Sequence, residues 1–386
     1  MIPYGRHDVS QADIDAVVQV LRSDWLTQGP TVPRFERELA NYVGADHAVA
    51  CNSATSSLHV ACLALGIGPG DRVWTSPNTF VASANCAIYC GADVDFVDID
   101  SRTYNISVDR LAEKLETARQ TNTLPKLVIP VHFAGQPCDM PAIHSLGKEY
   151  GFKIIEDASH AIGASYGQFR VGACAHSDIT VFSFHPVKIV TTGEGGMAVT
   201  NDPVLAERMI RLRSHGITSK LNLMRPQPVD EIWNYQQIDL GFNYRMTDLQ
   251  AALGLSQLQR LEEFLMRRRQ IAHRYNTAFA NFPIIPPWQA PFTISSYHLY
   301  PIRICRKLCN KSQRQVYDRL TACDIHVNLH YIPVYRQPFF EARGFPKGYC
   351  PQAELYYQET VSLPMYPALI DQDQYRVIHE LEQSLG

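Results

Sequence analysis

The sequence predicts an α/β protein built on a mostly parallel β-sheet that helices cover on both faces. Between about residues 40 and 200, short β-rich runs alternate with helix-like stretches, which is the pattern of repeated β–α–β units. The interiors of these runs are apolar, as expected for strands that are buried on both faces. The chain has 386 residues, which leaves room for a second unit because domains have roughly 150 residues each.

Seven short runs are predicted to be the strands of this sheet. They are His47–Cys51, Arg72–Thr75, Asp93–Val97, Lys126–His132, Phe152–Asp157, Ile179–Ser183 and Gly196–Thr200. Helices are expected between them, from Ser53 to Gly66, over Phe80–Tyr89, around 109–119 and over 141–150. In open parallel sheets ligands bind beyond the carboxyl ends of the strands, so the residues directly after each run are candidates for a functional site.

A domain boundary is predicted near residue 260. Thr247 and Gln250 have the spacing of a capping box, and apolar residues then continue at helical spacing as far as Leu265, which predicts one long helix. Beyond this point the chain becomes richer in Tyr, Pro and His and indicates a smaller α+β unit. We therefore expect a large domain over 1–260, which includes the N-terminal arm, and a small C-terminal domain over 261–386.

Composition argues against several classes of function. The formal net charge is −3, whereas a nucleic-acid-binding protein needs a basic surface. The charge-free stretch 47–70 is too rich in polar residues and glycine for a membrane helix, and the first residues show no secretory signal. We therefore expect a cytoplasmic protein without a membrane partner. Charged residues make up only 19 % of the chain, below the roughly 25 % that is usual, which indicates that a partner covers part of the surface.

No metal site is expected. The ten cysteines have irregular spacings without a C-x-x-C pair, which predicts reduced and mostly buried thiols. His326 and His330 have the spacing of a helical metal site, but segment 325–329 is β-rich and no acidic pair follows it. The basic run 267–269 follows two glutamates on a predicted helix, which indicates a solvated face with salt bridges.

Two ionisable residues stand at the carboxyl ends of predicted strands. Asp157 ends one strand, and Lys188 follows the end of another by five residues. If the strands are parallel, both side chains reach the same edge of the sheet. Taken alone, the pair is best interpreted as an ion pair, and only the neighbouring motifs favour chemistry.

These neighbouring motifs contain the parts of a pyridoxal phosphate site. Residues 52–59 open a helix with hydroxyl groups and free N–H groups, which suits a phosphate, and Ser183 adds a further hydroxyl. Phe80 follows another strand end and offers a flat apolar face. N-capping of the helix by Ser53 or Thr55 and a core position for Phe80 are the simpler alternatives.

On this hypothesis Lys188 forms the Schiff base with the cofactor, and Asp157 pairs with the pyridine nitrogen so that the ring acts as an electron sink. The phosphate would lie between Ala54, Thr55 and Ser183.

Three motifs carry a resemblance to a known family: residues 154–160, 182–188 and 192–196. They resemble the DegT-type sugar-nucleotide aminotransferases, which are fold-type-I pyridoxal-phosphate enzymes. The resemblance extends along the whole chain, through residues 5–6, 25–29, 52–59, 131–137 and 240–248. It implies a large domain with a mostly parallel seven-stranded sheet, a smaller α+β domain, and transfer of an amino group from glutamate to a keto group of a nucleotide-linked sugar.

The resemblance also implies roles for individual residues. Lys188, Asp157 and Ser183 match the positions of the family's Schiff-base lysine, pyridine-nitrogen carboxylate and phosphate serine. His160 matches a residue near the cofactor's ring oxygen. Asn243 matches a residue that reaches the phosphate in the neighbouring subunit, which implies a homodimer with shared active sites.

The substrate side of the site is implied in the same way. The residues expected there are Tyr4, Arg6, His185, His330 and Tyr331. A histidine replaces the Schiff-base lysine in dehydratases of this family; because Lys188 is present, transamination is favoured, although His185 lies nearby.

The motifs at 52–57, 185–188 and 191–194 are similar to those of enzymes that aminate the C4 ketone of UDP-linked 6-deoxy sugars. This implies formation of UDP-4-amino-4,6-dideoxy-N-acetyl-β-L-altrosamine for pseudaminic acid. Another dTDP- or UDP-linked substrate, aminated at C3 or C4, is the alternative. A further alternative is a non-catalytic protein that senses pyridoxal phosphate or an aminosugar. Such a protein would be expected to lack Lys188 or Asp157, and both are present.

Overall fold

The computed structural model describes residues 1–226, 234–305 and 307–386. The α-helices in these ranges are α1 (Gln11–Leu21), α2 (Thr31–Val43), α3 (Ala54–Ala64), α4 (Ala82–Tyr89), α5 (Val108–Thr121), α6 (Met140–Tyr150), α7 (Pro203–Leu212), α8 (Asp248–Gln259), α9 (Leu261–Ala278), α10 (Gln313–Ala322), α11 (Pro338–Glu341), α12 (Pro351–Glu359) and α13 (Asp371–Leu385). The strands are β1 (His47–Cys51), β2 (Arg72–Thr75), β3 (Asp93–Phe96), β4 (Leu127–Ile129), β5 (Lys153–Asp157), β6 (Ser165–Tyr166), β7 (Phe169–Arg170), β8 (Ile179–Ser183), β9 (Gly196–Thr200), β10 (Ile217–Thr218), β11 (Gln236–Gln237), β12 (Thr293–Ile294), β13 (Tyr300–Arg303) and β14 (Thr360–Leu363).

The predicted sheet is confirmed. Its seven strands have the order β1-β9-β8-β5-β4-β2-β3, and only β9 runs against its neighbours β8 and β1. The remaining pairs are parallel. The strand predicted over 126–132 is shorter than expected because β4 ends before Pro130, which has no N–H for the ladder.

Helices cover both faces of the sheet, as the apolar strands predict. Alternate residues of one strand serve the two faces: Leu127 and Ile129 pack with α3 and α4, whereas Val128 packs with α5 and α6. Next to them, Phe182 and Met197 pack with α2, α8 and the start of α9. The carboxyl ends of β2, β4, β5 and β8 therefore meet at one uncovered edge.

The prediction of one long helix after Thr247 is wrong. The capping box is present, but the helix breaks at Arg260, whose φ of −97° and ψ of 2° are not helical. Its guanidinium pairs with Asp8, at 2.8 Å. Apolar residues keep their spacing across the break, so the sequence pattern does not show it.

The division into domains at residue 260 stays a prediction, and from the packing we propose that it falls inside α9. Leu261 and Leu265 pack with the helices of the large sheet, whereas Ile271 and Tyr275 pack with β13, β14, α10 and α13. The N-terminal arm also packs on this second core, since Ile2 pairs with Ile325.

The basic run at 267–269 is only partly a solvated face. Arg267 forms an ion pair with Asp371 at 2.8 Å. Arg268 is buried, and its Nη1 donates to the carbonyl oxygens of Tyr297, His298 and Met365. Burial lowers the pKa of Arg268 to about 9. The expectation of a solvated face is therefore wrong for this residue.

The ten cysteines are free thiols, seven of them buried. In the described ranges, no group of His, Cys, Asp and Glu has the geometry of a metal site. The described helices include none that is long and apolar enough to cross a membrane.

Gly163→Ala tests how closely α9 packs on the large domain. Gly163 has a φ of +77°, and a Cβ there would overlap Cδ1 of Leu265. Gly151 has nearly the same φ, +80°, with open space around it, so Gly151→Ala is the matched control. Both variants should lose about 1–2 kcal/mol for the left-handed backbone, and Gly163→Ala should lose about 1–3 kcal/mol more through overpacking. Urea unfolding measures both, and equal losses would contradict the packing argument.

Candidate active site

A cavity of about 680 Å³ opens at the carboxyl edge of the sheet. The ends of β5 and β8, the first turn of α3 and segment 328–332 of the C-terminal part line it. Most residues predicted for the site line this cavity; they are Tyr4, Ala54, Thr55, Phe80, Asp157, His160, Ser183, His185, Lys188, His330 and Tyr331. Predicted residues up to 327 positions apart in the chain therefore meet at this cavity, and only Arg6 and Asn243 of the predicted set do not line it.

The first turn of α3 presents hydrogen-bond donors that could hold an anion on one wall. Ser53 is the N-cap, and its Oγ accepts the N–H of Ser56 at 3.1 Å. Capping leaves the N–H groups of Ala54 and Thr55 without a helical acceptor, and the hydroxyl of Ser183 lines the same cavity. A Cβ at Gly196 would overlap the backbone of Ala54, so glycine lets β9 approach the start of the helix. N-capping therefore does not exclude anion binding here, because the two use different groups.

Asp157 is fixed at the end of β5. Its side chain is only 4 % exposed. Oδ2 accepts a hydrogen bond from Oγ of Ser83 at 2.6 Å, and Oδ1 accepts one from the N–H of Ser159 at 3.0 Å. The carboxylate is therefore held on both oxygens while it faces the cavity.

Lys188 lies in the loop that joins β8 to β9, and its Nζ reaches the cavity. Burial lowers the pKa of Lys188 to about 8, although the charge of Asp157 acts in the opposite direction. Among the residues that the structure describes, no carboxylate forms an ion pair with this ammonium. The simple ion-pair interpretation of Asp157 and Lys188 is therefore not supported, and a substantial fraction of the amine is neutral near pH 8, as a nucleophile requires.

Neutral imidazoles surround this amine. The N–H of Ala134 donates to Nδ1 of His160 at 3.3 Å, which leaves the ring proton on Nε2, 3.2 Å from Oη of Tyr331. Burial, with further contributions from Lys188 and His330, lowers the pKa of His160 well below its usual range. Burial also lowers the pKa of His330 to about 3. These rings act as hydrogen-bonding groups without charge at neutral pH.

Phe80 lies at the mouth of the cavity and is 60 % exposed. The alternative that places it in the core is wrong. Its open face is available to a ring bound in the cavity or to a partner surface.

The two predicted residues outside the cavity are exposed. Arg6 follows Tyr4, whose carbonyl accepts the N–H of Met365 at 2.9 Å, and the arm then leaves the cavity. Asn243 lies beside the end of β1, where its carbonyl accepts a hydrogen bond from Asn52. Their roles stay predictions.

Sequence reasoning missed several residues of the site. Ser83 and Ser159 hold Asp157, and Glu194, Asn328 and Gln337 line the cavity. Ser83 carried a usable signal, since it lies one turn after Phe80 on the same predicted helix. No sequence signal pointed to Asn328 and Gln337, because the rule that ligands bind beyond the carboxyl ends of parallel strands does not apply to the C-terminal part.

Comparisons with known proteins confirm the resemblance along the whole chain. Residues 7–382 match the DegT/DnrJ/EryC1/StrS aminotransferase family. The spore coat polysaccharide biosynthesis protein SpsC of Bacillus subtilis is 41 % identical, over 96 % of this chain and 94 % of its own. PseC of Helicobacter pylori, an aminotransferase involved in the biosynthesis of pseudoaminic acid, superposes with a TM-score of 0.89 at 30 % identity, over 100 % of this chain and 99 % of its own. The PLP-form of the putative sugar aminotransferase Spr1654 of Streptococcus pneumoniae gives 0.88 at 29 % identity, with 99 % and 98 % coverage.

The lowered pKa of Lys188 predicts unusual reactivity of its amine in the protein prepared without cofactor. Acetylation by trace acetic anhydride, followed by peptide mass spectrometry, should show a midpoint near pH 8 for Lys188, with exposed Lys347 as internal reference. In Asp157→Asn the midpoint should move lower, because the carboxylate charge raises the pKa of the amine. A midpoint near pH 10, the range of an ordinary lysine, would contradict the burial argument.

Proposed function

This chain belongs to the DegT/DnrJ/EryC1/StrS aminotransferase family, and we propose that it aminates the C4 ketone of a UDP-linked 4-keto-6-deoxy sugar with glutamate as donor. The product would be UDP-4-amino-4,6-dideoxy-N-acetyl-β-L-altrosamine, in pseudaminic acid biosynthesis. That the protein is a sugar aminotransferase dependent on pyridoxal 5′-phosphate follows from the family and its PLP-form neighbour. The likeness to PseC over the full length of both chains is the observation that supports the specific sugar.

The residues of the cavity fit this cofactor. The N–H groups of Ala54 and Thr55, with the hydroxyl of Ser183, form a donor set for a phosphate. Asp157 offers a carboxylate for the pyridine nitrogen, and Lys188 an amine for the aldehyde. When bound, the cofactor supplies the carbonyl that takes up the amino group and a ring that delocalises the electron pair left on the substrate carbon.

The chain's own groups then carry the proton transfers. With the cofactor bound, Nζ of Lys188 would act as the general base that takes the proton from Cα of glutamate. In the second half-reaction the same Nζ, then protonated, would be the general acid that gives a proton to C4 of the sugar. A pKa of about 8 suits both directions, because the amine is readily present in either form near neutral pH.

Residues of the C-terminal part and of the N-terminal arm line the part of the cavity where we place the substrate. Tyr331 and His330 line the same cavity as the first turn of α3, and the ring centroids of His330 and of Tyr4 in the N-terminal arm are 5.5 Å apart. The N–H of Ala134 donates to Nδ1 of His160, so the proton on Nε2 is donated to Oη of Tyr331. The hydroxyl proton of Tyr331 is therefore free for a bound ligand. We propose Tyr4, His330 and Tyr331 as substrate contacts.

A homodimer with shared active sites completes the proposal. Several apolar side chains are exposed, among them Phe80, which lines the cavity, and also Tyr89 and Leu240. Asn243 is exposed near this surface and does not reach the cavity of its own chain. A second copy that covers this surface would bring its Asn243 to the phosphate, and it would account for the low charge content of the chain.

A different nucleotide sugar, used in a surface polysaccharide, is the second candidate. The identity to SpsC, 41 %, exceeds that to PseC, 30 %. The aminotransferase chemistry is the same in both cases, and only the sugar and its nucleotide differ.

A panel of keto sugars distinguishes the two candidates. The protein loaded with cofactor is mixed with glutamate and with UDP- or dTDP-linked 4-keto-6-deoxy and 3-keto sugars, and products are identified by NMR. We expect the UDP-linked 4-keto sugar to give the highest kcat/KM, by at least about tenfold, with release of 2-oxoglutarate. A higher value for a dTDP-linked or 3-keto sugar would refute the proposed substrate.

Co-expressed variants with different tags test the shared site. In a heterodimer of Lys188→Ala with Asn243→Ala, one site keeps both Lys188 and the partner's asparagine, so about half of the wild-type activity per dimer is expected. In a heterodimer of the double variant with wild-type chain, neither site is complete, and activity should be lost. The reverse result, with activity only in the second heterodimer, would show that each site belongs to one chain.

A further inference from the structure

Two buried hydroxyl groups connect the start of α4 to the carboxylate of Asp157. Oγ of Ser83 lies 2.6 Å from Oδ2 of Asp157, and Oγ1 of Thr79 lies 2.8 Å from Oγ of Ser83. The exposed fractions of Ser83, Thr79 and Asp157 are 0 %, 3 % and 4 %. Water therefore has little access to replace these hydrogen bonds.

The direction of the hydrogen bonds follows from the groups present. A carboxylate only accepts, so Ser83 donates its single proton to Asp157. Thr79 must then be the donor to Ser83. The carbonyl of Phe80 is a second acceptor for Ser83, but at 3.4 Å it is a poorer one than Oδ2.

The other oxygen of the carboxylate is held from a different element. The N–H of Ser159 donates to Oδ1 of Asp157 at 3.0 Å. Two donors on different oxygens, one from α4 and one from the chain after β5, fix the plane of the carboxylate as well as its position. Only the donor from α4 is a side chain, so substitution can remove it without changing the backbone.

The turn that carries these hydroxyls also carries Phe80. Thr79, Phe80 and Ser83 lie within five consecutive residues at the start of α4, and Phe80 lines the mouth of the cavity. One turn thus positions both an aromatic face and the support of the carboxylate at the same cavity.

We propose that Ser83, supported by Thr79, is a positioning residue that orients the carboxylate of Asp157 toward the pyridine nitrogen of the cofactor. This inference rests on the proposed role of Asp157. In this proposal both hydroxyl groups act through Asp157 and neither contacts the substrate or the cofactor directly.

The test compares cofactor binding with turnover. Protein freed of cofactor is titrated with pyridoxal 5′-phosphate and followed by visible absorbance, and kcat and KM for glutamate are measured on the loaded protein. Ser83→Ala should weaken cofactor binding and lower kcat by about tenfold each, since it removes a hydrogen bond to a charged group, and KM for glutamate should change little. Thr79→Val should lower cofactor affinity and kcat in the same way but by less. Thr79→Ser, which keeps the hydroxyl, should have the wild-type cofactor affinity and kcat.

Thr75→Val is the matched control. Oγ1 of Thr75 donates to the carbonyl of Ile129 at 2.8 Å and is equally buried, but it does not touch Asp157. Its cofactor affinity and kcat should stay at wild-type values. Losses in Thr75→Val equal to those in Thr79→Val would mean that the hydroxyls are merely structural, and the proposal would be overturned.

Asp157→Asn separates this proposal from the proposed function. If Asp157→Asn is impaired and Ser83→Ala is not, the positioning role is overturned while the role of Asp157 stands. If Asp157→Asn binds the cofactor and turns over normally, the role of Asp157 itself fails. The effect of Ser83→Ala should also vanish in the Asp157→Asn background, as expected for residues that act through one another. Should Ser83→Ala not fold, as judged by circular dichroism, the Thr79→Val and Thr79→Ser pair decides the question.

Discussion

The shared direction of β2, β4, β5 and β8 is the constraint on which the site depends. Parallel strands place all their carboxyl ends at one edge, so a residue that follows any of them reaches the same cavity. The antiparallel strand β9 contributes its first residue to the same edge, because Gly196 at its start pairs with Ser183 at the end of β8. The loop between β8 and β9 is therefore held at both ends, and it carries Lys188 to the cavity that Asp157 and the first turn of α3 also line.

Exclusion of water from this edge gives the groups their chemical character. Burial lowers the pKa values of Lys188, His160 and His330, so an amine that would be charged in water is partly neutral here, and two imidazoles that would be partly protonated in water stay neutral. A neutral amine can act as nucleophile and base, while neutral imidazoles can orient a phenol without repelling that amine. Reactivity thus comes from the surroundings of these residues more than from their identities.

The C-terminal part and the N-terminal arm supply what the sheet cannot. Tyr331 and His330 come from beyond α9, and Tyr4 comes from the arm, which is anchored through Ile2 on the core of the C-terminal part. Arg268 is buried and donates to three carbonyl oxygens, among them that of His298, whose ring centroid lies 4.4 Å from that of His160. Contacts between distant segments of the chain therefore hold this part of the cavity wall in place.

The sequence by itself determined the strands, the helix signals and the residues at the strand ends, because alternation of elements, apolar interiors and caps are local properties. Asp157, Ser183 and Lys188 were found in this way, and the motifs around them identified the family. The break at Arg260, the burial of Arg268 and the hydrogen bond from Ser83 to Asp157 were decided by the tertiary structure alone. Each depends on a partner that lies tens or hundreds of residues away, and periodicity along the chain holds no information about such a partner.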